Sequence, residues 1–313
     1  MKKHLIAAAV AGALAVPAMA QVTVYGIIEM GYEQNDPGAG SSTSSIESNE
    51  FNSSRFGLRG EEDLGGGLKA FFRLESGLDA TNGTDGSVMF DRGAEVGISG
   101  GFGSVAFGKL DHAGIEGNEL SLIGNVGLGD GKVETGKASD VNDTVRYVTP
   151  SMGGVTLNVT YTPKDNGSAT THDGITSYQL AGKLAGMNFK LGGGEVKDAA
   201  GKMKVMGVAA SYDFGVASAS LLYQTQDNPT NIDAKNTIVN VSVPVGSGVK
   251  VMGQYETLDV DGGDASDSTT TAIALEKALS KRTSVYGLYR VIDPKASGSD
   301  NQSTLGAYIK HSF

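Results

Sequence analysis

Arg55, Arg59 and Arg73 stand at alternate positions of two segments whose intervening positions hold Phe56, Leu58, Phe72 and Leu74. An extended chain sends successive side chains to opposite faces, so the three guanidinium groups share the face that the apolar residues leave. Further along, residues 111–142 form the longest polar connection and carry Asp111, Glu116, Glu119 and Asp130. Seven glycines there, from Gly114 to Gly136, let the segment fold tightly. Acids on such a segment, set across a gap from the arginines, would generate a transverse field. A dipolar solute aligns in that field, and an apolar one is disfavoured because it must displace ordered water. This chemistry makes and breaks no bond and needs no cofactor.

Motifs that would imply a reaction fail on their own terms. Residues 131–138 (Gly-Lys-Val-Glu-Thr-Gly-Lys-Ala) approach a phosphate-binding loop but lack the Ser or Thr after the lysine that touches magnesium. Asp259, Asp261, Asp264 and Asp267 could offer oxygens to calcium, yet the terminal Glu of a helix–loop–helix calcium site is missing. A solvated acidic loop is the better reading, and no metal site is expected. After the first twenty residues the histidines are His112, His172 and His311. No Gly-x-Ser-x-Gly nucleophile turn accompanies them, so an enzyme is not expected. The formal net charge is −10, which argues against nucleic acid as a partner. With no cysteine, neither disulfides nor thiolate metal sites are available.

The chain begins with Lys2 and Lys3, an apolar run from Leu5 to Val16, and Ala18-Met19-Ala20 ahead of Gln21. These are the parts of a secretory signal peptide, expected to be cleaved after residue 20. The apolar run is too short for a bilayer-spanning helix, which needs ~20 residues. Residues 21–313 are then expected to fold as one domain.

Period-two alternation dominates that domain. It is clean in Val155–Tyr161, Met187–Leu191, Val239–Val243 and Leu68–Glu75, with Leu, Val, Phe and Ala on one face. The opposite face carries Lys69, Arg73, Glu75, Asn158, Thr160, Lys190, Asn240 and Ser242. Marking every such segment predicts sixteen strands: 21–33, 51–60, 67–79, 90–100, 103–110, 143–149, 153–162, 174–185, 187–197, 202–214, 216–226, 235–245, 247–258, 267–278, 281–292 and 303–313. Short turns alternate with longer polar stretches at 34–50, 80–89, 111–142, 163–173, 198–201, 227–234, 259–266 and 293–302. That rhythm is the plan of an outer-membrane β-barrel, with short periplasmic turns and long outside loops. A closed barrel also leaves no backbone group unpaired in lipid and no sheet edge exposed. A soluble β-sandwich would not need the rhythm, and a solenoid would show a fixed repeat, which is absent.

Specific motifs point the same way. The run Ser54–Ser76 (Ser-Arg-Phe-Gly-Leu-Arg-Gly-Glu-Glu-Asp-Leu-Gly-Gly-Gly-Leu-Lys-Ala-Phe-Phe-Arg-Leu-Glu-Ser) resembles the signature hairpin of the Gram-negative trimeric porins of β-proteobacteria. Val24-Tyr-Gly26, Gly100–Lys109, Val145–Gly154 and Leu305–Phe313 match the same family in order. The resemblance implies an all-β, 16-stranded antiparallel transmembrane barrel, a homotrimer, and a third loop (111–142) folded inward as a constriction. It implies that Arg55 and Arg92 line that constriction. By parity with Val96 and Ile98, however, Arg92 on a regular strand would face lipid; a bulge or loop position would turn it inward. It also implies that Phe313 is read by the barrel-assembly machinery, besides serving as an interface aromatic. The expected pore-constriction set is therefore Arg55, Arg59, Arg73, Arg92, Asp111, Glu116 and Glu119. The expected function is passive diffusion of small hydrophilic solutes across the outer membrane, in contact with its lipid and lipopolysaccharide. A substrate-selective channel for organic acids or sugars, and a plugged surface adhesin, are the alternatives. The overall negative charge favours cations and the arginines favour anions, so ion preference stays open.

Overall fold

The computed structural model describes residues 21–84, 88–115, 119–126, 141–164, 172–198, 201–228, 233–261 and 267–313. The expected signal peptide, Glu116, Asp130 and Asp264 lie outside them. The alternating segments all fold as strands: β1 (Gln21–Asp36), β2 (Thr43–Ser48), β3 (Arg55–Gly65), β4 (Leu68–Gly77), β5 (Gly93–Gly100), β6 (Gly103–Leu110), β7 (Val141–Val148), β8 (Val155–Thr162) and β9 (His172–Leu184). They continue as β10 (Met187–Asp198), β11 (Gly201–Asp213), β12 (Ser218–Asp227), β13 (Ala234–Gly246), β14 (Val249–Val260), β15 (Ser268–Ala278), β16 (Thr283–Pro294) and β17 (Gln302–Ser312).

Each strand from β3 onward pairs antiparallel with the next, and β17 returns to β1 through a register running from Ile27–Ser312 to Asp36–Ser303. β2 and β3 share one wall position. β2 pairs with the outer half of β1 (Met30–Asn35) and β3 with its inner half (Gln21–Ile27). The barrel is thus closed and sixteen strands round. The strand expected at 51–60 is split: residues 49–54 leave the wall, and β2 forms inside what the sequence suggested was a loop. The connection at 198–201 is also shorter than expected, because β10 and β11 stay paired up to Asp198 and Gly201.

Alternation sorts the side chains as the period predicts. Val24, Phe56, Val96, Phe107, Tyr161, Leu191, Ile273 and Leu305 face outward and are exposed. Thr144, Thr160, Gln224, Asn240 and Gln254 face the lumen and are buried. Such a wall presents an apolar band to lipid and a polar one to water. At the seam Gly26 exchanges two backbone hydrogen bonds with Phe313, each 3.1 Å. Any side chain at residue 26 would press into the Phe313 ring and the Arg55 carbonyl. Five residues further along the same seam, the Tyr308 ring lies over Gly31, with the same consequence.

Candidate functional site: a charged patch on the lumen wall

β3 to β7 bring five arginines to one lumenal patch. The register places Arg55 beside Gly77, Arg59 beside Arg73, Arg73 beside Glu95 and Arg146 beside Ala106. Arg92 lies in the turn before β5, and its Nε donates to Glu75 Oε1 at 3.0 Å. Its position off the strand is what resolves the parity conflict. Arg73 Nε donates to Glu95 Oε1 (2.9 Å) and stands 3.8 Å from Glu75 and 3.6 Å from Asp111. Arg55 is 3.8 Å from Glu75, and Arg146 pairs with the other oxygen of Glu95. The Tyr25 hydroxyl donates to Glu75 Oε2 (2.8 Å), and the Arg59 guanidinium sits 5.1 Å from the Tyr25 ring centroid.

Five cations meet three carboxylates here, and they are not equally wet. The Glu75 and Glu95 side chains are 8% and 6% exposed, against 29%, 23%, 33% and 20% for Arg55, Arg73, Arg92 and Arg146. The acids thus form a buried underlayer that spaces the arginines, while the guanidinium groups face the water. Of the predicted acids, Asp111 meets the arginines. Glu119 is instead engaged by Lys190 and by Gln179 Nε2 (3.1 Å), on β10 and β9.

The start of the third long connection lies on the lumen face of the barrel. His112 bonds to Ser177 (2.9 Å) and Thr162 (3.1 Å), the Ala113 amide donates to Thr160 Oγ1 (3.2 Å), and Gln179 Nε2 donates to the Gly114 carbonyl (2.6 Å). Ile115 is fully buried against Ala209, Leu222 and Ile238, three apolar side chains that face inward. Residues 119–126 continue to the opposite side, where Ile123 and Val126 bury against Met252, Ala274, Tyr286, Leu288 and Phe51. Gln254 Nε2 donates to the Val126 carbonyl (2.6 Å).

Residues 49–54 leave the wall in order to meet this segment. Glu29, fully buried, accepts from the Phe51 amide (2.6 Å) and Asn52 Nδ2 (2.9 Å), and Arg290 pairs with Glu50 at 2.6 Å. The Phe51 ring then stacks on Tyr286 (centroids 4.4 Å apart) and meets Tyr308 edge-on, while its carbonyl accepts from the Asn125 amide at 3.1 Å. The inward segment is therefore tied to the wall from β8 round to β17, away from the arginines.

The sequence reading missed Arg146, the buried roles of Glu75 and Glu95, and Tyr25. Parity was available for all four, since Val145, Tyr147, Leu74, Val96, Val24 and Gly26 alternate with them. It also missed the inward apolar residues Leu222, Ile238, Met252 and Leu288. They break the alternation, and that break is the signal of a segment docking inside.

A closed β-barrel with an apolar exterior, a polar lumen and a cluster of charges on its inner wall is a transmembrane channel of the outer-membrane type. A sequence model described as Gram-negative porin matches residues 7–297, and the chain belongs to that family. It is 32% identical to outer membrane porin protein 32 of Delftia acidovorans, over 99% of this chain and 93% of that protein. It is 30% identical to an outer membrane porin of Bordetella pertussis, over 97% of this chain and 89% of that one. Among solved structures it resembles the anion-selective porin from Comamonas acidovorans, with a TM-score of 0.81 and 26% identity over 94% of this chain and all of that one. The protein is an outer-membrane porin, a water-filled channel for passive diffusion of small hydrophilic solutes.

Proposed function

We propose that this porin prefers small anions, and that Arg55, Arg59, Arg73, Arg92 and Arg146 are the residues that set the preference. The carrying observation is the unequal exposure in the arginine patch: five guanidinium groups face water, while two of their three carboxylates lie beneath them. Charges at a narrow cross-section dominate selectivity, because acids at open rims are screened within ~8 Å at physiological salt. The arginine excess therefore outweighs the negative charge of the chain as a whole. Asp111, 3.6 Å from Arg73, marks where the inward segment approaches the wall, and Glu116 on the same segment belongs to this zone in the proposal. Glu119 acts as an anchor through Lys190. The anion selectivity of the Comamonas porin supports the same reading.

The working unit in this proposal is a homotrimer, as in the trimer form of OmpT from Vibrio cholerae, whose fold this chain shares at a TM-score of 0.69. Residues 1–20 act as a cleaved export signal, and Phe313 at the barrel seam serves recognition by the assembly machinery. The short-turn rim, with both ends of the barrel chain, faces the periplasm, and the outward band contacts membrane lipid and lipopolysaccharide. Planar-bilayer recording of the purified protein tests the channel reading and the selectivity together. Conductance steps in threes, with a reversal potential of anion sign in a salt gradient, are expected. A cation-sign potential would remove the arginine filter from the proposal while leaving the channel intact.

A further inference from the structure

We propose that the outward face of β8–β11, at the rim bearing the longer loops, is a binding site for a phosphorylated lipid of the outer leaflet, with Lys197 and Lys204 holding its phosphate. The proposal rests on the porin reading above, which places this rim at the cell surface. The site is a depression of about 460 Å³ lined by Tyr161, Gly174, Thr176, Tyr178, Gly194, Glu195, Lys197, Lys204, Val205 and Met206.

Its shape follows from the strand register. Three outward rows cross the patch. Tyr178, Gly193 and Met206 form the lowest, Tyr161, Thr176, Glu195 and Lys204 the middle, and Lys197 and Lys202 the highest. Glycine at 193 leaves the floor open, with the Tyr178 hydroxyl 3.3 Å and Met206 Cγ 3.4 Å from where a Cβ would sit. On the highest level the β9–β10 register slips between Val196 and Asp198, and Gly174 adopts φ +122°, a conformation that other residues rarely reach. The slip opens the wall at the level of Lys197 and Lys202.

The chemistry changes with height. Tyr161, Tyr178 and Met206 are all strongly exposed and form an apolar cleft at the level of lipid tails. Lys197 and Lys202 stand above it, and Lys204 lies level with Tyr161 across the middle row. Glu195 takes Lys202 as its ion-pair partner at 2.7 Å, which leaves Lys197 and Lys204 to face the cleft. Asp227, the next residue in the row beyond Lys204, lies outside the lining. An apolar slot capped by two ammonium groups and flanked by tyrosines matches an amphiphile whose anionic phosphate sits directly over its acyl chains. Lipid A in the outer leaflet has that build. A soluble phosphate would use the lysines but not the exposed cleft below.

The test uses the purified full-length porin in detergent. Native mass spectrometry counts adducts of bisphosphorylated lipid A and of its dephosphorylated form, with inorganic phosphate as a third probe. Wild-type protein is expected to retain the bisphosphorylated lipid well above the dephosphorylated one. The double variant Lys197→Gln/Lys204→Gln is expected to lose roughly thirtyfold in apparent affinity, the scale of two interfacial lysines against an anionic lipid. Lys235→Gln, an exposed lysine on β13 outside the depression, is expected to bind as wild type. Equal retention of the two lipids, an unaltered double variant, or binding of inorganic phosphate alone would overturn the site. So would a double variant that falls apart into monomers, since the patch would then be a subunit contact. Conductance of the wild-type preparation, recorded in parallel, tests the porin reading separately.

Discussion

Arg73 touches more of the charged patch than any other side chain, being within 3.8 Å of Glu75, Glu95 and Asp111. Its removal takes away one positive charge and uncovers carboxylates that it now neutralises. Arg59 stands over the Tyr25 ring and has no carboxylate within ion-pair distance among the described residues, so its loss removes a single charge. Both Arg73→Gln and Arg59→Gln should move the reversal potential in a salt gradient toward cations, and Arg73→Gln should move it further. Equal shifts would mean that the acids beneath do not contribute to the field. Arg55→Ala should also raise cation preference, and an unchanged potential would exclude Arg55 from the filter. A lysine at residue 73 should restore the charge but not the fork that reaches Glu95 and Asp111 together, because an ammonium is a point donor.

The inward segment is held as an element by apolar docking at two places. Ile115 caps Leu222 and Ile238, and Ile123 with Val126 fills the pocket around Phe51. Truncating a fully buried isoleucine costs about 2–5 kcal/mol of local packing. The barrel wall does not depend on that contact, since its backbone ladder is complete without it. Ile115→Ala should therefore leave the folded barrel and its resistance to heat in detergent nearly unchanged, while open-channel noise rises and the segment becomes cleavable by protease. A fall in barrel stability as large as the packing loss would show that the segment and the wall unfold as one unit. At the seam, Gly26→Leu forces a side chain into the Phe313 ring and the Arg55 carbonyl. The yield of closed barrel on refolding should drop sharply, read as the loss of the heat-modifiable band on gels. An undiminished yield would show that the last residue can swing away without opening the ring.

Across the whole molecule, two charge distributions oppose each other. The chain carries −10 overall, while the patch on the lumen wall carries an excess of arginine. Which one an ion senses depends on screening, whose length runs from ~30 Å at 0.01 M salt to ~3 Å at 1 M. At 1 M each arginine acts over little more than its own contact distance, so the anion-to-cation permeability ratio should fall toward one as salt rises, with no change of sign. A ratio that switches to cation preference at low salt would mean that the rim acids govern entry. All five arginines come from one chain, so this local field does not depend on assembly with further copies.

Alternation by itself placed nearly all the strands and sorted the greasy and wet faces, and with the short-turn, long-loop rhythm it pointed to a closed ring. The placement and the sorting are local consequences of the two-residue period, repeated along one chain. Arg55, Arg59 and Arg73 were legible for the same reason. Only the folded chain decided what lies across the lumen. The departure of residues 49–54 from the wall depends on Glu29 and Tyr286, which are remote from it in sequence but adjacent in the ring. The turn that rescues Arg92 is held by Glu75 on the neighbouring strand, and Glu119 pairs with Lys190 rather than with an arginine because the inward segment carries it across to β10. A period of two fixes which face a side chain takes, but closure alone brings opposite faces of the ring within reach of one another.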